Sequence, residues 1–194
     1  MFTDARSKKL VLVAHCVLNQ NSISDGTADY PGSIKEVVNL LLQSEVGILQ
    51  LPCPELHCLG LDRGDVHGAE RPVVAENTRI RGSMERPEAI RELQILVGPL
   101  VRQIEEYLRH GFTILGIVGI NRSPSCGVDT TSKANQEVAG RGVFMEELRN
   151  ELEHRGINVD WIGIKATETQ EAQRKLLRLI FCCDAAKRDT DPHG

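Results

Sequence analysis

An α/β domain, built on a mostly parallel Rossmann-like sheet with helices on both faces, is what the sequence predicts. Three observations lead there. Short apolar runs alternate with segments of helical period along nearly the whole chain. Its 194 residues fit one domain able to bury a sizeable core. No internal repeat or low-complexity linker divides it. The domain is expected over residues 1–184, with a polar tail over 185–194.

The elements follow in order. Residues 9–14, Lys-Leu-Val-Leu-Val-Ala, are a buried strand that stops at His15-Cys16. Residues 19–32 are rich in Asn, Ser, Asp and Gly and read as a loop. Ser33 and Glu36 have the spacing of a capping box for a helix over 33–43, turning Ile34, Val37, Val38, Leu41 and Leu42 inward. Residues 46–51 form a second strand, cut off by Pro52. The stretch 54–83 shows no clean period and reads as a long excursion. Over 87–110, Ile90, Leu93, Val97, Leu100, Val101, Ile104 and Leu108 recur at helical spacing, with Pro87 at the start and Gly111 just beyond the end. Gly98-Pro99 is expected to kink or interrupt that helix. Phe112 to Ile120 is a third strand, 143–154 a helix ended by Gly156, and 157–164 a fourth strand. A last helix begins at Thr167 and Gln170 and reaches about Phe181.

Composition narrows the function. Lys and Arg number 23 against 27 Asp and Glu, and the net charge of −4 argues against bulk nucleic-acid binding. No apolar run approaches the roughly 20 residues that span a bilayer, so no membrane partner is expected. The N-terminal residues lack the apolar stretch of a secretory signal, which makes the cytoplasm the expected location.

The cysteines carry the chemistry. Cys16 follows the first strand, Cys53 the second, and Cys126 the third after a Ser-Pro-Ser turn. In a parallel sheet all three emerge along the carboxyl edge, where α/β folds build ligand sites. Cys182 and Cys183 are adjacent near the end of a helix, face different ways and read as packing. Three converging thiolates suit zinc, with His15, His57 or Cys58 as fourth ligand, or a cubane iron–sulfur cluster with one open iron. In an extended segment Glu55 lies two residues from Cys53 and faces the same side, a candidate general base. Ser123 offers a hydroxyl to a substrate or a proton relay. Asn19, Arg63 and Asp129 lie in loops expected to rim the pocket, with groups able to hydrogen-bond a ligand.

His15-Cys16-Val17-Leu18-Asn19, Pro52-Cys53-Pro54-Glu55 and Ser123-Pro124-Ser125-Cys126-Gly127, in this order, resemble the thiouracil desulfidase (TudS-like) family over residues 9 to about 165. Gly140-Arg141-Gly142 matches a later Gly-rich turn of that family. Leu56-His57-Cys58 stands where the main branch has small and glycine residues, and His15 stands before the first cysteine, so the chain reads as a divergent branch. The resemblance implies a 4Fe–4S cluster held by Cys16, Cys53 and Cys126 with one iron free, and catalytic roles for Glu55 and Ser123. It implies an enzyme that removes sulfur from a small thiolated pyrimidine, a base or nucleoside, by non-redox hydrolysis and releases sulfide. Two alternatives stand beside it: a non-catalytic iron–sulfur sensor or carrier with Cys58 as fourth ligand, and a zinc-stabilised binding domain.

Overall fold

The structure, a computed structural model, describes the backbone of residues 2–188 and the side chains of residues 2–181. The chain runs β1 (Lys9–Val13), α1 (His15–Leu18), α2 (Lys35–Gln43), β2 (Gly47–Gln50), α3 (Pro54–Leu59), α4 (Val73–Met84) and α5 (Pro87–Arg109). Then come β3 (Thr113–Ile120), β4 (Thr130–Lys133), β5 (Gln136–Ala139), α6 (Val143–His154), β6 (Trp161–Ile164) and α7 (Thr169–Arg188). Four strands form one parallel sheet in the order β2-β1-β3-β6. This is the α/β architecture the alternation predicts. Helix α2 packs with α7, and α5 packs with α6, as right-handed crossovers on opposite faces require.

The central strands are covered on both sides, which is why they read as continuous apolar runs rather than alternating ones. Val11, Leu12 and Val13 of β1 and Leu115, Ile117 and Val118 of β3 are buried. Against them lie Val37 and Leu41 of α2, Leu93, Val101 and Ile104 of α5, Phe144 and Leu148 of α6, and Leu176 of α7. The chain leaves β1 for β2 on one side and returns to β3 on the other. That reversal opens a crevice between the carboxyl ends of β1 and β3, the usual ligand position in open α/β sheets.

Several expectations need correction. The capping box does not form: α2 starts at Lys35 with Ile34 as its cap residue and no side-chain cap. The Ile34 N–H instead donates to the Val17 carbonyl, so tertiary pairing sets the helix start. Leu42 is exposed rather than inward. The 54–83 excursion holds two helices, α3 and α4. Helix α4 escaped pattern reading because its buried positions are Glu76, Asn77, Ile80 and Met84, two of them polar. Helix α5 runs unbroken through Pro99. Strands β4 and β5 form an unforeseen hairpin, its turn made by Ala134 and Asn135 at φ of 51° and 60°.

The fourth core strand is shorter than expected, covering only Trp161–Ile164. Helix α7 continues to Arg188, so the polar tail begins as helix. The rest of that tail, 189–194, and the side chains of Cys182 and Cys183 lie outside the described residues. Among the described residues no helix is long and apolar enough to cross a membrane.

Candidate functional site

Each of the three cysteines is placed by a different local device. After β1 the Ala14 N–H bonds the Val118 carbonyl at 2.8 Å, tying the strand end to β3 just before the short helix α1 begins. Cys16 sits on that helical turn rather than in a loop. Gln20 clamps it, donating from Nε2 to the Cys16 carbonyl at 2.7 Å.

Cys53 is the cap residue of α3, and Pro54 occupies the first helical position, where its missing N–H costs nothing. The Cys53 sulfur accepts the Leu56 N–H at 3.5 Å. Residues 53–55 are therefore a helix start, not an extended segment. Glu55 still reaches the same pocket, because the first turn of α3 faces it.

Cys126 is held by the Ser-Pro-Ser turn. Ser123 Oγ accepts from the Cys126 N–H at 2.9 Å and the Ser125 N–H at 3.3 Å. The leading amides of α6 donate to the carbonyls of Pro124 and Ser125, so an otherwise unpaired helix end finishes the turn. Backbones crowd here. A Cβ at Gly142 would fall 2.3 Å from the Ser125 carbonyl carbon, and one at Gly119 2.4 Å from the Cys126 oxygen. Gly142 of the Gly140-Arg141-Gly142 motif thus serves close packing against the third cysteine, whereas Gly140 stands in open space at a φ of 132°.

The three thiols line one pocket of about 400 Å³, together with Glu55, Arg63, Ser123 and His15. Their electrostatics are mutual. Burial, then the charges of Cys53 and Glu55, push the Cys16 thiol up to about 12. Burial, then Cys16, Cys53 and Glu55, raise Cys126 well above the ordinary thiol range. Cys53 is also raised by burial and by Glu55, partly offset by the Leu56 N–H and by Arg63. Three thiolates can share this pocket only if a positive core stands among them. Among the described residues no group of three or more His, Cys, Asp or Glu is arranged to close on a single metal ion.

Glu55 is 7% exposed. Its Oε2 accepts from Arg63 Nε at 3.0 Å and from Ser24 Oγ at 3.4 Å, while Oε1 takes no hydrogen bond among the described residues. Arg63 was expected to meet a substrate, but its donors are all engaged. Nη1 bonds the Gly60 and Leu61 carbonyls at 2.9 and 3.1 Å. Nη2 bonds the Ser22 carbonyl and reaches the Cys53 sulfur at 3.9 Å. Arg63 therefore holds Glu55 and the Cys53 sulfur from the pocket wall.

Unlike Arg63, the two other expected rim residues stand away from the pocket. Asn19 Oδ1 accepts the Asn21 N–H at 3.1 Å and caps a short turn. Asp129 accepts from Asn121 Nδ2 at 3.0 Å and Lys175 Nζ at 2.9 Å. Neither lines the pocket. Of the possible fourth ligands, Cys58 and His57 lie outside the lining, and His57 pairs with Glu92 at 3.0 Å. His15 does line it, its Nδ1 bonded to Gln50 Nε2 and its Nε2 buried without a partner. Asn77 of α4 is a pocket residue that pattern reading missed, since nothing marks one polar residue in an aperiodic stretch.

Across 175 residues the chain is 30% identical to "Uncharacterized protein MJ0003" of Methanocaldococcus jannaschii, covering 90% of this chain and 96% of that one. No protein-family model matches the chain, and no solved structure does.

Two outcomes are expected for the reduced, metal-free protein. Cys16 should react with iodoacetamide at pH 8 at least about a hundredfold more slowly than a free cysteine, and its rate should still be rising above pH 10. Each unit of raised pKa removes a factor of ten in thiolate, so peptide mapping showing ordinary reactivity at pH 8 would contradict the geometry. Arg63→Met should cost about 3–5 kcal/mol of stability by leaving a buried carboxylate unpaired, and adding Glu55→Gln should recover much of it. Urea unfolding of the single and double variants checks this; additive losses would mean the pair is not coupled.

Proposed function

We propose that this chain, which belongs to the same family as the archaeal protein MJ0003, is an iron–sulfur-dependent desulfidase that hydrolyses a thiolated pyrimidine and releases sulfide. One observation carries the reading: thiols following three consecutive core strands line a single pocket with a carboxylate that keeps one oxygen free. The resemblance of the three cysteine segments to the thiouracil desulfidase family supports it.

The donor set fits a cluster better than a lone ion. Zinc–sulfur bonds of about 2.3 Å would need the sulfurs within about 4 Å of each other, whereas a cubane takes each thiolate at a separate iron. Cys16, Cys53 and Cys126 would hold it. When bound, such a group supplies an open iron as Lewis acid for the departing sulfur, with no net redox change.

The remaining work falls to the chain's own groups. Glu55 Oε1 holds the attacking water and takes one of its protons, while Arg63 and Ser24 at Oε2 keep the carboxylate turned to the pocket. The Ser123 oxygen accepts two backbone N–H groups, which leaves its own proton for a substrate heteroatom. The water oxygen forms the new carbon–oxygen bond as the carbon–sulfur bond breaks. The second water proton balances the sulfide. Cytoplasmic conditions would keep the thiols reduced.

Cys58 stands off the pocket lining, and its thiol is pushed up to about 11 by burial and then by the charges of Glu92 and Cys53. Protein purified without oxygen is expected to be brown, to contain iron and acid-labile sulfide, and to release sulfide from a thiopyrimidine. Reconstituted protein that binds iron yet leaves a broad panel of thiolated bases and nucleosides intact would refute the activity. Glu55→Gln should lower kcat by about 10²–10⁴-fold while iron content stays unchanged. Cys58→Ser should retain the cluster, and its loss in that variant would favour a four-cysteine sensor.

A further inference from the structure

Asn77 is 7% exposed and lines the cysteine pocket as well as a much smaller cavity of about 20 Å³. The direction of its amide is settled by its neighbours. Nδ2 lies 3.3 Å from the Arg122 carbonyl, which can only accept. It also lies 3.3 Å from Ser132 Oγ, whose own proton goes to the same carbonyl at 2.7 Å. Both contacts need N–H donors from Asn77, so the oxygen must point the other way. Arg122, at φ of 70°, is the turn residue that offers this carbonyl to the helix. Among the described residues Oδ1 then has no hydrogen-bond partner, yet it is not one of the sealed, unpartnered buried atoms.

A fixed acceptor, nearly buried and next to the Arg122-Ser123 wall, disfavours ligands that bring nothing to donate. A thiopyrimidine carries an N–H directly beside its C=S carbon. We propose that Asn77 is a specificity-determining residue whose Oδ1 accepts that N–H. The pocket would then select a thioamide-type –NH–C(=S)– unit and reject rings alkylated at the neighbouring nitrogens. The identity of the ligand rests on the desulfidase reading, but the acceptor geometry does not.

The test uses product pyrimidines, whose binding needs no bond cleavage. Dissociation constants of uracil, 1-methyluracil, 3-methyluracil and 1,3-dimethyluracil are measured by calorimetry on the anaerobically prepared protein. At least one monomethyl compound should bind within a few-fold of uracil, and the dimethyl compound at least about tenfold more weakly. In Asn77→Ala that gap should close to about twofold, and in Asn77→Asp, which still accepts, it should persist. Equal binding of all four by the wild type, no binding of any, or an undiminished gap in Asn77→Ala overturns the proposal. The wild-type comparison stands whether or not the variants fold. If the pattern holds while no thiopyrimidine yields sulfide, the desulfidase reading fails and the acceptor role survives. If sulfide is released without discrimination, the acceptor role alone fails.

Discussion

All four core strands point the same way, so whatever follows β1, β2 and β3 leaves from one edge of the sheet. That constraint lets residues 16, 53 and 126, far apart in sequence, line a common pocket. The reversal between β1 and β3 adds the space, because the helices that follow these strands lie on opposite faces and leave the crevice between them open. A metal motif of closely spaced cysteines would need none of this. Here the fold itself supplies the spacing, and the local turns only aim the sulfurs.

Bringing acids together inside a protein has a cost, and the pocket shows how it is met. One buried thiol, two half-buried thiols and one buried carboxylate share the pocket with a buried, fully engaged guanidinium, while Arg122 and Lys165 also line it. Arg63 divides itself between Glu55 and Cys53, and its remaining donors go to carbonyls of the segments following Cys16 and Glu55. One cation stabilises one anion in such a setting, and the others stay neutral by keeping their protons. This is why the thiols sit above their ordinary range.

The strands and the long helices were legible because burial on both faces writes uninterrupted apolar runs, and α5 writes a clean period. The convergence of the cysteines was legible from strand boundaries alone. Glu55 was found for an imperfect reason: Pro54 between two chemical residues suggested extended backbone, yet proline is equally at home in the first turn of a helix. Asn19 and Asp129 were drawn in by polarity, which in loops mostly serves local capping and ion pairs. Arg63 lines the pocket as expected, but a sequence cannot show that its donors are taken up by Glu55, Cys53 and main-chain carbonyls.

Helix α4 shows why the most aperiodic stretch was also informative. Its inward face carries Glu76, which is bonded by Arg79 at 2.6 Å and Arg71 at 3.0 Å. Arg79 in turn donates to the Arg63 carbonyl at 2.9 Å. A chain of charge-assisted bonds therefore runs from α4 through Arg63, which stands at φ of 56°, to Glu55 and Cys53. One residue further along the same helix, Asn77 reaches the opposite segment of the pocket through the Arg122 carbonyl. Polar residues at core positions erase the hydrophobic period and are expensive unless every group is paired. The face that defeats periodicity analysis is thus the face that buttresses Glu55, the Cys53 thiol and the turn leading to Cys126, and its polarity is accounted for by that support.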